Sequence, residues 1–234
     1  MMGTMHYQER RSQLQTYFDR TAVEAWARLT STAPVSRIRA TVRAGRERMR
    51  NTLLGYLPAN LAAKTLLDAG CGTGALSVDA AVRGAHVLAI DLSPTLVLFA
   101  RQRLPASLGT GRIDFRVGDM SDSAMGSFDH VVAMDSLIHY GLDDVVRVLA
   151  GFAGRTGHSI VFTFAPKTPP LTLMWWAGRL FPRGDRAPAI EPLSERALRH
   201  RLALEPALAG WRVGRTQRIA SGFYTSQAME LVKQ

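Results

Sequence analysis

Thr65-Leu66-Leu67-Asp68-Ala69-Gly70-Cys71-Gly72-Thr73-Gly74 is the stretch from which the rest of the chain can be ordered. A short apolar run that ends in an acid and passes into three glycines at alternate positions reads as a buried strand turning sharply into a helix. Glycine tolerates the backbone angles of such a turn and lets the main chain approach a ligand, and the helix that follows points its first amides the same way. That helix is Ala75 to Val82. Next come a strand at His86 to Asp91 and a helix at Pro94 to Leu104, with proline at its first position. Further strands read at Ile113 to Val117, Phe128 to Met134 and His158 to Phe164. Strands alternating with helical patterns mean βαβ units and a parallel sheet, hence an α/β fold.

On either side of this core the texture differs. Residues 6–63 read as helices, with Tyr17, Phe18, Trp26 and Leu29 as anchors and Val35, Ile38, Val42, Met49 and Leu53 on one stripe. Arg37, Arg39, Arg43, Arg46, Arg48 and Arg50 fall on the other face, which reads either as a solvated face or as a contact for a membrane surface or an acidic partner. After Phe164 the rhythm breaks into a proline-rich insertion over 165–192 that includes Trp175-Trp176. A helix at Glu195 to Leu204 and a strand pair at Trp211 to Ile219 and Tyr224 to Val232 close the chain. The expected organisation is an N-terminal helical lid over 1–63 and a catalytic domain over 64–234 carrying the insertion.

Composition limits the function classes. The 234 residues suit one domain with additions, since about 150 residues is typical of one. The single cysteine, Cys71, excludes an internal disulfide or a cysteine metal cluster and fits a reducing compartment. The longest stretch without an acid or a base, Asn51 to Ala63, is shorter than the roughly 20 residues of a spanning helix, and the start lacks a signal peptide's apolar core. The expectation is a cytoplasmic protein. A net charge of +10 invites a polyanion, but 26 of the 29 basic residues are arginine, which looks like the codon bias of a GC-rich genome.

The glycine loop alone leaves the cofactor open, because Gly70, Gly72 and Ala75 also satisfy the dinucleotide pattern. Charge decides. Asp68, two residues before the loop, would repel a pyrophosphate and attract the ammonium and sulfonium of S-adenosylmethionine. Asp91, 21 residues after Gly70, is placed to accept both ribose hydroxyls, a role common to both cofactors. Gly118-Asp119-Met120 supplies an acid for the adenine amino group and an apolar side chain for its ring. The plainer readings are a helix cap for Asp68 and a small loop filler for Cys71.

With these residues the chain resembles the class I S-adenosylmethionine-dependent methyltransferases, on Leu66 to Gly74, Ala89-Ile90-Asp91 and Gly118-Asp119-Met120. The resemblance covers roughly 60–234 and implies a Rossmann-like seven-stranded sheet with helices on both faces, in which only the penultimate strand in chain order lies antiparallel, at an edge. It assigns Asp68, Gly70, Cys71, Gly72, Gly74, Asp91, Asp119, Met120 and Asp135 to the cofactor. Asp135-Ser136-Leu137-Ile138-His139-Tyr140, after the fourth strand, occupies the acceptor side and lacks the Asp-Pro-Pro-Tyr-like tetrad of nucleic-acid amino methyltransferases.

Over nearly its full length the chain is similar to the magnesium-protoporphyrin IX methyltransferase family, through Gln15 to Thr21 with Trp26, Asp135 to Tyr140, and the insertion from Trp175-Trp176 to Arg186. That likeness implies methylation of one propionate carboxylate of the magnesium porphyrin in bacteriochlorophyll synthesis. S-adenosylhomocysteine is the second product, and magnesium enters only as part of the substrate. It makes Tyr17 and His139 the catalytic candidates and puts Phe18, Tyr140, Met174, Trp175, Trp176 and Phe181 around the macrocycle, with Arg183 and Arg186 for its propionates. A carboxylate acceptor is ionised at neutral pH and needs no general base, so His139 is left to orient the propionate, to approach the magnesium, or to close the pocket. The pathway implies contacts with magnesium chelatase and, peripherally, with a photosynthetic membrane; no nucleic acid is expected. The competing readings are a methyltransferase for another small molecule, in which His139 would be a true base, and a basic RNA-binding module.

Overall fold

Seven strands form one sheet in the order β3-β2-β1-β4-β5-β7-β6. They are β1 (Thr65–Ala69), β2 (His86–Asp91), β3 (Arg112–Val117), β4 (Phe128–Ala133), β5 (Thr156–Phe164), β6 (Trp211–Ser221) and β7 (Tyr224–Lys233). The computed structural model describes residues 9–17, 19, 37–168 and 190–234. Trp26, Leu29, Val35 and most of the insertion over 165–192, with its tryptophan pair, lie outside the described residues.

β1 to β5 are parallel, and the strand order reverses between β1 and β4, which opens a crevice at the carboxyl ends of these two strands. Leu66, Leu67, Asp68 and Ala69 of β1 are all buried, as are Val87 to Ile90 of β2. A strand covered by helices on both faces needs such an uninterrupted apolar run.

The antiparallel strand differs from the expectation. The final strand, β7, runs against the others, and it is interior, bonded to β5 on one side and β6 on the other. The penultimate strand, β6, does take the edge, but it runs parallel to β5. The reason lies in the connection. Only Gly222 and Phe223 join β6 to β7, with Gly222 at φ +56°, and so tight a hairpin forces the two strands antiparallel. With β6 carried to the edge after a long crossover, β7 folds back into the gap beside β5.

Helices α2 (Arg37–Tyr56), α3 (Ala75–Val82) and α4 (Pro94–Gln102) cover one face, where Met49, Leu53, Leu57, Leu76, Ala80, Val97 and Ala100 meet Leu66, Val87, Val132 and Val161. Helices α5 (Leu142–Ala153) and α6 (Glu195–Ala203) cover the other, with Val145, Leu149, Phe152, Leu198 and Leu202 against Leu67, Val131, Ile160 and Met229. Each large aliphatic side chain so buried is worth roughly 2 kcal/mol relative to exposure.

Three arginines of the α2 stripe reach back to the protein, while Arg43, Arg46 and Arg48 remain exposed. Arg46 Nε lies 3.3 Å from Asp135 Oδ2, Arg48 donates to the Ala220 carbonyl at 3.1 Å, and Arg50 pairs with Asp79 at 2.7 Å. At the other end of α2 the Arg215 guanidinium caps the carbonyls of Gly55 and Tyr56 while forking onto Glu230 at 2.7 and 2.8 Å. These contacts fasten α2 to β6, to α3 and to Asp135 at the end of β4.

Candidate active site

The glycine loop is wound so that it serves itself before it serves a ligand. Gly70, Gly72 and Gly74 all take positive φ, at +85°, +54° and +77°. A Cβ on Gly70 would come within 2.4 Å of the Ser136 Cβ and one on Gly74 within 2.8 Å of the Phe115 ring, whereas one on Gly72 would meet nothing within 4 Å. Gly72 therefore faces the open side. The amides of Gly70 and Cys71 both donate to the Ile90 carbonyl, at 2.9 and 3.0 Å, and that of Gly74 donates to the Cys71 carbonyl at 2.9 Å. The Gly72 amide donates to Asp91 Oδ2 at 2.8 Å. With these four amides committed, the loop is not an array of donors waiting for phosphate.

The acids at the strand ends set the sign of the site. Asp68 is 1% exposed beneath the loop, accepting a bond from the Ser77 hydroxyl at 2.5 Å. Burial, with Asp91 adding to it, pushes its pKa up to about 7. Asp91 accepts one amide on each carboxylate oxygen, from Gly72 and from Ser93, the latter at 2.9 Å, which leaves a further lone pair on each oxygen for a pair of hydroxyls. Burial raises its pKa as well. Asp119, after β3, receives the amide and the hydroxyl of Ser121, both at 2.8 Å. Beside it, the Met120 side chain is 8% exposed. Three acids, a diol acceptor and few open amides suit a cationic nucleoside without phosphate, so the residues present fit S-adenosylmethionine.

Cys71 is half-buried, and burial, together with Asp68 and Asp91, drives its thiol well above the ordinary range. It therefore stays a neutral thiol, as a loop filler would and a nucleophile would not.

A short helix, α1, over 9–17 lies across these strand ends. Leu14 is 3% exposed within the core, Arg11 reaches Asp119 at 3.4 Å, and Arg10 pairs with Glu191 at 2.6 Å. Just beyond it, Asp19 accepts the Ser93 hydroxyl at 2.5 Å. Tyr17 sits half-buried at the end of α1. Phe18, Met174, Trp175, Trp176, Phe181, Arg183 and Arg186 lie outside the described residues.

The acceptor-side segment leaves β4 through Asp135, at φ +53°, and makes one 3-10 turn over Leu137–His139. His139 is 7% exposed and Tyr140 2%, the latter as part of the core. The chain at 190–193 closes over this turn: the Glu191 amide donates to the Ile138 carbonyl at 2.9 Å, and Leu193 and Ala165 pair at 2.8 Å. The Asp135 carboxylate is turned toward β5 and β7, where Tyr224, Ser226 and Thr163 bond it.

The structure thus brings Asp68, the glycine loop, Asp91, Asp119 and the Asp135 segment to one end of the sheet, with α1 beside them. Sequence reading passed over Ser93, Asp19 as its partner, Glu191 and Tyr224. Ser93 carries a local signal, a serine cap before Pro94. Tyr224 carries none, because the 89 residues separating it from Asp135 hide a purely tertiary contact.

Comparison with known proteins extends the reading to the whole chain. A family profile described as "Magnesium-protoporphyrin IX methyltransferase C-terminus" matches residues 133–233, and a general methyltransferase domain profile matches 66–155. The chain is 48% identical to the magnesium-protoporphyrin O-methyltransferase of Rhodobacter capsulatus, over 96% of this chain and 97% of that one. It is 33% identical to the chloroplastic magnesium protoporphyrin IX methyltransferase of Arabidopsis thaliana, over 94% and 70%. Among solved structures, magnesium protoporphyrin IX methyltransferase from Synechocystis with SAH bound superposes with a TM-score of 0.79 at 28% identity, covering 95% of this chain and 99% of that one.

Proposed function

The chain belongs to the magnesium-protoporphyrin IX methyltransferase family, and from that membership we infer that it moves a methyl group from S-adenosylmethionine to a propionate carboxylate of magnesium-protoporphyrin IX, forming the monomethyl ester for bacteriochlorophyll synthesis. The observation that carries the reading is the near full-length identity to the Rhodobacter enzyme, together with an acid-lined strand-end crevice of the right chemistry.

The reaction asks little proton chemistry of the protein. A propionate oxygen attacks the methyl carbon, the carbon–sulfur bond breaks with its electron pair going to sulfur, and S-adenosylhomocysteine leaves with a neutral thioether. No proton moves, since the carboxylate is ionised far above its ordinary pKa of about 4. Positive sulfonium and negative carboxylate cancel in the transition state, so exclusion of water and alignment supply the acceleration.

On this account Asp91 holds the ribose, Asp119 and Met120 hold the adenine, and the buried charge of Asp68 answers the cationic end of the cofactor through the loop. His139 orients the acceptor; its burial at the first turn after β4 supports a fixed ring. Tyr17 contributes its hydroxyl from α1 as that helix covers the site; support comes from the pairing of α1 with Asp119 and Glu191 and of Asp19 with Ser93. The insertion with Trp175, Trp176, Arg183 and Arg186 supplies the wall and the second charge contact for the macrocycle.

Contacts with magnesium chelatase and with an anionic membrane surface are also proposed, on the pathway and on the basic stripe respectively. No helix of the described residues is long and apolar enough to cross a membrane. Co-sedimentation with anionic vesicles that falls on charge reversal of Arg43, which is exposed, supports the surface contact, and indifference to it counts against it.

The function is tested by titrating the purified protein with magnesium protoporphyrin and following absorbance, then adding S-adenosylmethionine and weighing the porphyrin. A saturable shift and a gain of one base-labile methyl are expected. Bound S-adenosylhomocysteine with no shift and no methylated porphyrin would leave a methyltransferase for a different acceptor.

A further inference from the structure

Of the acids at the carboxyl ends of the strands, Asp135 is the one whose backbone is strained. It takes φ +53° without being glycine, a conformation that costs a non-glycine residue of order 1 kcal/mol and persists only when its surroundings enforce it. The enforcing contacts come from three elements. Its amide donates to Thr163 Oγ1 of β5 at 2.7 Å, and the Thr163 hydroxyl lies 3.3 Å from Oδ1. Ser226 of β7 donates to Oδ1 at 3.3 Å, and Arg46 of α2 reaches Oδ2 at 3.3 Å. Among the described residues, only the Tyr224 hydroxyl reaches both oxygens, at 3.0 and 3.1 Å.

Tyr224 is itself fixed. Its ring lies against Gly45 of α2, where any added Cβ would come within 2.6 Å of it, and its residue is 9% exposed. Burial and the neighbouring carboxylate raise its pKa far above the ordinary phenol range, so it is always a donor. Directly after Asp135, Ser136 packs against Gly70 so closely that no side chain fits between them, and the Ser136 hydroxyl is buried with no hydrogen-bond partner among the described residues. His139 follows one turn later. One short stretch therefore touches the cofactor loop at one end and carries the acceptor-side histidine at the other, and its entry angle is set at Asp135.

We propose that Tyr224 is a positioning residue for methyl transfer: through its hydroxyl, shared between the two oxygens of Asp135, it holds 135–140 in the register that seats Ser136 on the glycine loop and His139 toward the acceptor. Tyr224 touches no reacting atom in this role. The inference rests on the function proposed above for its kinetic consequence, but the positioning itself is a property of the protein without substrate.

The test uses the full-length protein with Tyr224→Phe, Asp135→Asn and the double variant. Phenylalanine keeps the ring against Gly45 and removes only the hydroxyl; asparagine keeps the tolerance of left-handed angles and weakens the acceptor. In Tyr224→Phe, hydrogen exchange of the 135–140 amides is expected to quicken about 10-fold while the slowest core amides hold their protection. Methyl transfer is expected to show kcat lower by about 10-fold with the KM for magnesium protoporphyrin within about 2-fold. The double variant should lose less than the product of the two single losses, because both single changes weaken the same Tyr224–Asp135 contact. Unchanged exchange over 135–140 in both single variants, a kcat within about 2-fold, or losses that multiply in the double variant would overturn the proposal. Should Tyr224→Phe fail to fold, Asp135→Asn weakens that contact together with those of Thr163, Ser226 and Arg46, and exchange over 135–140 still reads whether the carboxylate sets the segment. A wild-type protein that does not methylate the porphyrin would refute the function and leave the exchange experiment to decide the positioning.

Discussion

Replacing Asp68 by asparagine should stabilise the ligand-free protein and impair it as an enzyme, and the size of the first effect follows from the site. The carboxyl is 1% exposed, with a pKa near 7 in the folded chain against about 3.9 for an aspartate in an unfolded one. A folded pKa raised above the unfolded one means that the stabilisation belongs to the protonated form and is lost as pH rises through 7. The difference of about 3 pKa units is worth about 4 kcal/mol in full, and roughly 1–2 kcal/mol of it is already lost at pH 5. Asparagine never ionises and still offers an oxygen to the Ser77 hydroxyl. Urea unfolding without ligand should therefore show Asp68→Asn gaining on the wild type by roughly 2–3 kcal/mol between pH 5 and pH 8, and by little more above that. A stability difference that stays constant over this range, or one that moves the other way, refutes the reasoning. The same variant should bind S-adenosylmethionine more weakly, and S-adenosylhomocysteine less so, because only the former carries a sulfonium for the lost charge to answer.

The remaining expectations concern the same loop. Binding of S-adenosylmethionine at pH 7 should release on the order of half a proton, as the cation completes the ionisation of Asp68; calorimetry in buffers of different ionisation enthalpy measures it, and net uptake would contradict it. Gly70→Ala should lower stability by about 1–3 kcal/mol, since its Cβ would meet Ser136 at 2.4 Å, and should weaken S-adenosylhomocysteine binding with it. Gly72→Ala separates the two effects: its Cβ meets no protein atom, so stability should fall by only about 1 kcal/mol at φ +54° while cofactor affinity falls at least as far as in Gly70→Ala. Equal thermal shifts for the two alanines would argue against an open ligand side at Gly72.

What the chain declared in advance was the local part. β1, the glycine loop, α3 and β2 were legible because each is coded within a few residues by a buried run, by positive-φ glycines or by a cap, and Asp91 followed from its distance to the loop. Helix α5 has a weaker local signature, with Asp143 and Asp144 in its first turn and Val145, Leu149 and Phe152 on its buried stripe. The direction of β7 was misjudged because hairpin length fixes only the relation of β6 to β7, while the choice of which strand enters beside β5 is made by the packed sheet. Tyr224, Ser226 and Thr163 became visible as a group only when β5 and β7 were side by side, since neither spacing nor composition joins them to Asp135. The arginine face of α2 is solvated at Arg43, Arg46 and Arg48, as its spacing suggests, and what spacing does not show is that Arg46, Arg48 and Arg50 also tie the helix to Asp135, to β6 and to α3.

At the centre stands an enzyme that aligns a carboxylate, already ionised, with a sulfonium and moves no proton. The most direct test is the pH dependence of a single turnover, with protein in excess, both substrates saturating, and the methyl ester quantified between pH 6 and pH 8.5. Saturation removes the effect of Asp68 on cofactor affinity, and the rate of transfer should then be flat across the range. A rate that rises about fourfold from pH 6 to a plateau above about pH 7.5, as an ionisation near 6.5 would give, and that loses this rise in His139→Gln, would mean that a proton must be taken from the acceptor, and would contradict the account.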